Sequence, residues 1–338
     1  MRRRARSIKK YYMNTMIKYI ALVLVLVGLL LISLMAGERF IMPADLLAVF
    51  LGDADSLTYG IVMNLRLPRI GAALLAGSAL SVSGAVFQSV LKNPLADPYI
   101  VGVSGGAALG ASVGIIFSSA GVAPELLAFL GCLAAVSFVE MLSRRYAYGS
   151  AALILTGISI SFVLSAAVML LFCFARSDEV HRALMWLMGD LSIARYASLP
   201  YGVVICVLLF VLILFHHRHC DIISFGSEFS QSSGVTRGNV RTLFWAAAML
   251  AAVSVSIVGV IGFVGLIVPH VIRYIFGPNH IRLLPLSMIT GGIFLVCCDA
   301  LGRSAVSPYE VPVGVITSFC GGIFFLVYML SGKGREVI

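Results

Sequence analysis

From Arg66 to Gly110 the chain reads RLPRIGAALLAGSALSVSGAVFQSVLKNPLADPYIVGVSGGAALG. Two arginines bracket Leu67-Pro68, and a run of small apolar residues follows: Gly71, Ala72, Ala73, Ala76, Gly77, Ser78 and Ala79. The run breaks at Lys92-Asn93-Pro94-Leu95-Ala96-Asp97-Pro98 and resumes through Gly102, Gly105, Gly106 and Gly110. This pattern predicts a membrane helix, a compact polar turn and a second helix. Small residues let helix backbones approach closely in lipid, where packing drives association. Two prolines with Asn and Asp between them stop a helix from continuing.

The rest of the chain has the same character. It has 338 residues, 60% hydrophobic and 12% charged, with mean hydropathy +1.03. A soluble domain carries about 25% charged residues. Half that value, with apolar runs of about 20 residues, describes a polytopic membrane protein. The runs are too long and too continuous for an outer-membrane barrel. Seven cysteines are present without a CxxC pair, and all but Cys220 fall in apolar runs. They read as small buried hydrophobes and imply no disulfide framework.

Ten spans fit the sequence, at about 17–36, 61–82, 100–118, 123–142, 151–174, 197–215, 243–261, 264–276, 283–302 and 312–331. The eighth, with Gly265, Pro269 and His270, is too short to cross straight and reads as a broken half-span. The expected fold is all-α, one transmembrane helical bundle over residues 1–338. Placing the N-terminus inside puts 17 of the 24 Lys and Arg on the cytoplasmic face, and the C-terminus there too. The net charge of +9 is thereby explained by membrane orientation, with no nucleic-acid role. Residues 1–16 form a basic cytoplasmic tail, and the long first apolar run reads as an uncleaved span. Outside, Pro43–Phe50 reads as a short amphipathic helix, and 175–197 as a helix with Trp186 at the membrane interface.

The 66–110 string resembles the most characteristic segment of the FecCD-type permeases, membrane subunits of ABC importers for ferric siderophores, haem and cobalamin. The resemblance returns in GFVGLIVPHVIRYIFGPNHIRLLPL, Gly262 to Leu286, and in Glu310-Val311-Pro312-Val313-Gly314-Val315-Ile316-Thr317. It covers nearly the whole chain in order. It implies the type II ABC importer permease fold with ten helices per subunit, paired as a homodimer in the cytoplasmic (inner) membrane. It implies an iron chelate as cargo, a ferric siderophore first and haem or cobalamin as alternatives. Its partners are an extracytoplasmic substrate-binding protein and separate cytoplasmic ABC ATPase subunits, which hold the ATP and Mg. This chain needs no cofactor or metal of its own, and it lacks the GxxxxGK[ST] phosphate loop, HExxH and GxSxG. An ion-coupled secondary transporter is the rival from another class; it needs intramembrane ionisable residues, and Asp299 stands nearly alone.

The resemblance assigns roles to residues. Arg66, Arg69 and Arg303, each at the outer end of a span, match arginines that pair with glutamates of the docked binding protein. Read without it, they are arginines snorkelling at helix ends. The cytoplasmic segment 216–242 is too polar to span and reads as a compact helical pair; in the family it couples to the ATPase. Gly226, Glu228, Gly234 and Val235 keep the family's places, while the basic residue before the second glycine is absent. Gly149 and Ser150 fall at the cytoplasmic gate, and Thr156, Ser159, Met169 and Phe172 on the span 151–174 line a path or face lipid; periodicity does not decide. Asp299, four residues before Arg303, is placed for a local ion pair, and Glu310 for capping the last helix. His216, His217, His219 and Cys220 read as a solvated helix end, and His270 as structural or at the ATPase face.

Overall fold

A computed structural model describes residues 20–21, 23–37, 39–117, 123–144, 150–193, 196, 199–306 and 309–330. The basic tail 1–16 and Gly149 lie outside them. The described residues form an all-helical bundle whose one β feature is an isolated bridge, Val306 to Tyr309.

The chain order begins with α1 (Val23–Met35), α2 (Pro43–Leu51) and α3 (Ser56–Gly60). A π-helical stretch, Ile61–Arg66, runs from α3 into α4 (Leu67–Val90). Then follow α5 (Val103–Ile116), α6 (Pro124–Arg144), α7 (Ser150–Phe174), α8 (Ser177–Leu187) and α9 (Leu199–Phe215). Two short helices, α10 (His217–Ser224) and α11 (Ser227–Ser232), precede α12 (Arg237–Val258), α13 (Val264–Phe276), α14 (His280–Ser304) and α15 (Val313–Leu330).

Six of these helices are long and apolar enough to cross a membrane, and the α9–α10 pair, bent by 59°, makes a seventh candidate. Three shorter apolar helices, α1, α5 and α13, fall at the remaining expected places. At 1.5 Å per residue, the 14 residues of α5 and the 13 of α13 reach only about 20 Å, so by length alone these two do not cross; α1 is described from Val23, with helix also at residues 20–21.

The bundle is organised around α4. Ala72, Ala73, Ala76, Val86 and Phe87 are fully buried in it. Its small residues permit backbone contact on two sides. A methyl group at Gly77 would overlap the Gly291 carbonyl of α14, and one at Gly84 the Gly265 carbonyl of α13. The helix runs to Val90, eight residues past the expected end at 82. The polar residues that obscured the extension are satisfied by neighbours: Ser83 Oγ donates to the Ala247 carbonyl at 2.7 Å, and Gln88 bonds α13 at both ends.

The turn after α4 is not a simple surface loop. Ala96, Pro98 and Val101 are buried, and the connection folds back into the protein before α5 starts. There it meets a second break, residues 259–263, between α12 and α13. Tyr99 Oη donates to the Ile261 carbonyl and accepts from its N–H, both at 3.0 Å. Asp97 turns its carboxylate onto the Tyr99 N–H at 2.9 Å. Non-helical backbone at membrane depth survives only where protein supplies its hydrogen bonds, and the two breaks supply each other's.

Capping sets the remaining boundaries. A Thr236–Asn239 box starts α12 six residues before the expected 243, and Gly259 at φ 76° ends it before 261. The short α13 occupies the expected 264–276. The short helix α2 forms as expected; Leu46 and Val49 pack with Ile41 and Val62 in a small satellite core. The helix α8 also forms, but Trp186 is buried rather than at the interface. The end of α8 is pinned: the Trp186 carbonyl accepts from Gly189, Asp190 donates to Val258, and Gly314 donates to Met188. That turns the indole inward.

Candidate functional site: a buried arginine cluster and an opposite coupling face

The three arginines singled out by sequence gather at one end of the bundle, each at a helix terminus. Arg66 closes the π-helical stretch, Arg69 sits in the first turn of α4, and Arg303 in the last turn of α14. Their side chains turn inward: Arg66 and Arg303 are 5% exposed and Arg69 9%. Asp299, 1% exposed, is the centre of the cluster. Its Oδ2 takes Arg303 Nε at 2.9 Å, the pairing expected from the i,i+4 spacing, and its Oδ1 takes Arg69 Nε at 2.6 Å. The second pairing joins residues 230 positions apart and had no sequence signal.

Backbone carbonyls absorb the remaining donors. Arg303 donates to Ala36 O at 2.9 Å and Ser33 O at 3.0 Å, and Arg66 to Leu34 O at 2.5 Å and Arg39 O at 2.6 Å. The cluster therefore ties the end of α1 to α4 and α14. Glu310, expected as a helix cap, instead reaches Arg69 Nη1 at 2.7 Å. It is the one member with a half-exposed side chain, at 54%. Arg69 and Arg303 thus face two carboxylates, one sealed and one open to water, while Arg66 is held by backbone carbonyls.

At the other end of α4 the segment 216–242 folds as the expected helical pair. Cys220 and Ile223 bury one face of α10. Gly226 at φ 120° and Gly234 at φ 81° bracket α11, in a conformation that favours glycine. Val235 is buried and Glu228 exposed. Sequence reading passed over Phe225 and Phe229, which are 78% and 52% exposed. Their rings meet edge to face at 5.7 Å across the α10–α11 junction; two phenylalanines four apart in a polar segment were the available signal.

Of the histidines of this region, His216 and His219 bring their rings to 5.2 Å. His216 and His217 bond the Leu212 and Leu214 carbonyls, each at 2.9 Å. Among the described residues no three His, Cys, Asp or Glu are grouped to hold a metal. His270 packs edge to face on Tyr328 at 4.7 Å, against α15.

A different histidine braces this end. His280 Nδ1 meets Asp221 Oδ1 at 2.6 Å, and its Nε2 meets Ser89 Oγ at 2.8 Å. The order Ser, His, Asp is that of a hydrolase relay. Here Ser89 lies inside a continuous helix, is 2% exposed and bonds back to Ala85 O at 3.2 Å, so the three residues tie α4, α10 and α14. Burial pushes the Asp221 carboxyl up, but hydrogen bonds from the His280 ring and backbone outweigh it and hold it below the ordinary value. A depressed carboxyl stabilises the fold at neutral pH and loses that contribution as acid protonates it.

The path candidates lie on α7, whose surface is largely open in the single chain. Ser150 is its first residue, Ser159 and Met169 are exposed, and Thr156 and Phe172 are half-buried, Phe172 against the core. The exposed face carries Leu155, Phe162, Val163 and Phe174.

This architecture has known counterparts. A solved structure of an inward-facing metal-chelate type ABC transporter superposes with a TM-score of 0.80 at 29% identity, covering 92% of this chain and 98% of that one. The chain is 36% identical to the hemin transport system permease protein HmuU of Yersinia pestis over 286 residues, 82% of this chain and 85% of that protein. It is 35% identical to the Fe(3+) dicitrate transport system permease protein FecD of Escherichia coli over 314 residues, 91% and 96%. It is 39% identical to the cobalamin import system permease protein BtuC of Halobacterium salinarum over 282 residues, 82% and 74%. Residues 24–331 match the family description as a whole, and the chain belongs to the FecCD transport family of ABC transporter permeases.

Proposed function

We propose that this permease is the membrane subunit of a binding-protein-dependent importer that carries an iron chelate, a ferric siderophore, across the inner membrane. Haem and cobalamin are the alternative cargoes, since relatives of similar identity are named for each. The match over residues 24–331 carries the reading. In this reading two copies pair through the exposed apolar faces of α7 and α15, with the path between them, and both termini lie in the cytoplasm.

The arginine end faces out and receives the binding protein. Because Arg66 and Arg303 are spent on backbone carbonyls and Asp299, Arg69 is the point of access. A carboxylate of the docking protein takes Arg69 by displacing Glu310, its open partner. At the opposite end the α10–α11 pair, with Gly226, Glu228, Gly234, Val235 and the Phe225–Phe229 couple, seats on a separate ATPase. Nucleotide binding there biases the permease between outward- and inward-open states by differential affinity. The α4 helix spans from one site to the other, so movement at either end is felt along it.

The test is uptake into proteoliposomes holding this chain with the ATPase and binding protein encoded beside it. ATP-dependent uptake of a ferric siderophore is expected. Uptake of haem or cobalamin instead reassigns the cargo. Transport without ATP or without a binding protein would sink the importer reading in favour of an ion-coupled carrier.

A further inference from the structure

Beside the Ser89–His280–Asp221 brace lies a cavity of about 530 Å³, between the end of α4, the turn after it, α10 and the α13–α14 junction. Its volume falls within the range of about 300–1,000 Å³ seen for small-molecule sites. Its lining is rich in hydrogen-bond donors. Lys92 and Arg273 both border it. Neither has a carboxylate at ion-pairing distance among the described residues. Arg273 gives one N–H to Gln88 Oε1 at 2.9 Å, which leaves most of its five donors unspent.

Asn93 and Asn279 also border the cavity, and each has committed its amide oxygen to the backbone. Asn93 Oδ1 accepts from Leu95 N–H at 2.9 Å, and Asn279 Oδ1 from Ile281 N–H at 3.1 Å. What each has left is its NH2 group. Gln88 spends both ends, accepting from Arg273 and donating to Gly265 O at 3.3 Å. Among the lining residues there is one carboxylate, Asp221, and its Oδ1 already takes the backbone N–H and the ring Nδ1–H of His280. An ammonium, a guanidinium and two amide NH2 groups therefore share a cavity with one carboxylate, whose Oδ1 is taken by His280.

We propose that this cavity binds a phosphate-type oxyanion, supplied either by the headgroup of an anionic phospholipid or by free phosphate. A guanidinium fork beside a lysine point charge is a pairing suited to phosphate oxygens. Phe225, Pro94 and Pro278 on the walls give the apolar flank that a glycerophosphate headgroup also needs. The proposal stands on this geometry alone and holds whichever chelate the protein carries.

Full-length protein stripped of lipid in a neutral detergent is titrated with inorganic phosphate, against chloride at matched ionic strength. The same protein is placed in nanodiscs of phosphatidylglycerol or of phosphatidylcholine, and retained lipid is counted by native mass spectrometry. Phosphate is expected to raise the apparent unfolding temperature, or phosphatidylglycerol to be retained over phosphatidylcholine; the first assigns free anion, the second the headgroup. Lys92→Asn should weaken the effect by about tenfold, the worth of one charge-assisted contact. Lys92 is an exposed turn residue at φ 50°, a conformation asparagine tolerates, so this variant keeps its fold. Arg273→Lys, which keeps the charge and removes the fork, should weaken it several-fold. No response to either ligand, or equal responses from wild type and Lys92→Asn, overturns the proposal.

Discussion

At the scale of single residues, the division between Asp299 and Glu310 makes opposite predictions for two carboxylates on one arginine. Asp299 is sealed between two guanidiniums. Asp299→Asn leaves both cations without their shared counter-charge, and breaking a buried pair costs about 3–5 kcal/mol. A fall in apparent unfolding temperature, with most of the protein lost in aggregates, should be seen in detergent. Glu310 is half in water, where a pair is worth about 0–1 kcal/mol. Glu310→Gln should leave stability unchanged while tightening the complex with the binding protein several-fold, because Arg69 is vacated; weaker docking by surface-immobilised assay would refute the displacement. Of this cluster, sequence showed the arginines and the Asp299–Arg303 spacing. The link from Arg69 to Asp299 was not legible, since nothing local marks a contact across 230 positions.

At the scale of elements, α4 is held by backbone contact. Gly84→Leu drives a side chain into the Gly265 backbone of α13; overpacking of this kind costs about 1–3 kcal/mol. Gly60→Ala, where nothing lies within 4 Å, is the control and should be neutral in the same unfolding scan. The α10–α11 pair makes the reverse prediction if it seats on the ATPase as proposed. Phe225→Ala with Phe229→Ala removes two exposed rings, so folding should survive. Loss of a hot-spot aromatic costs about 2 kcal/mol or more in association, and co-purification of the ATPase should fall at least tenfold. Helix positions were readable here because apolar length is a strong signal. Their ends were not: α4 ran on through Ser83, Gln88 and Ser89, whose polarity is satisfied by α12, α13 and α14, and hydropathy cannot see a partner.

At the scale of the whole molecule, composition and apolar runs were enough for an all-helical membrane bundle, and the two long motifs for its family. They did not reveal that the motifs touch. The turn after α4 was legible as punctuation from Pro94 and Pro98. The break before α13 was placed too late, because the expected span 243–261 took in Gly259, where the helix stops. Their union through Tyr99 and Ile261 is a tertiary fact. The same holds for Trp186: an aromatic at a span end suits the interface, but pinning by Val258 and Gly314 overrides that preference.

The union of the two breaks has a consequence for how the protein is made. Tyr99 and Gln88 find their partners at Ile261, Gly265 and Arg273, Ser89 at His280, and Arg69 at Asp299 and Glu310. While the ribosome is still at work, the first three quarters of the chain lack these tertiary partners, with Ser89 keeping only its bond to Ala85 O; a buried polar group left unpaired costs several kcal/mol. The final quarter of the polypeptide therefore supplies the partners that lock the earlier helices in place. A chain stopped after Val258 should insert but be degraded within minutes in pulse-chase, and supplying residues 259–338 as a separate polypeptide should extend its lifetime. Equal lifetimes with and without that fragment would show that residues 1–258 settle alone.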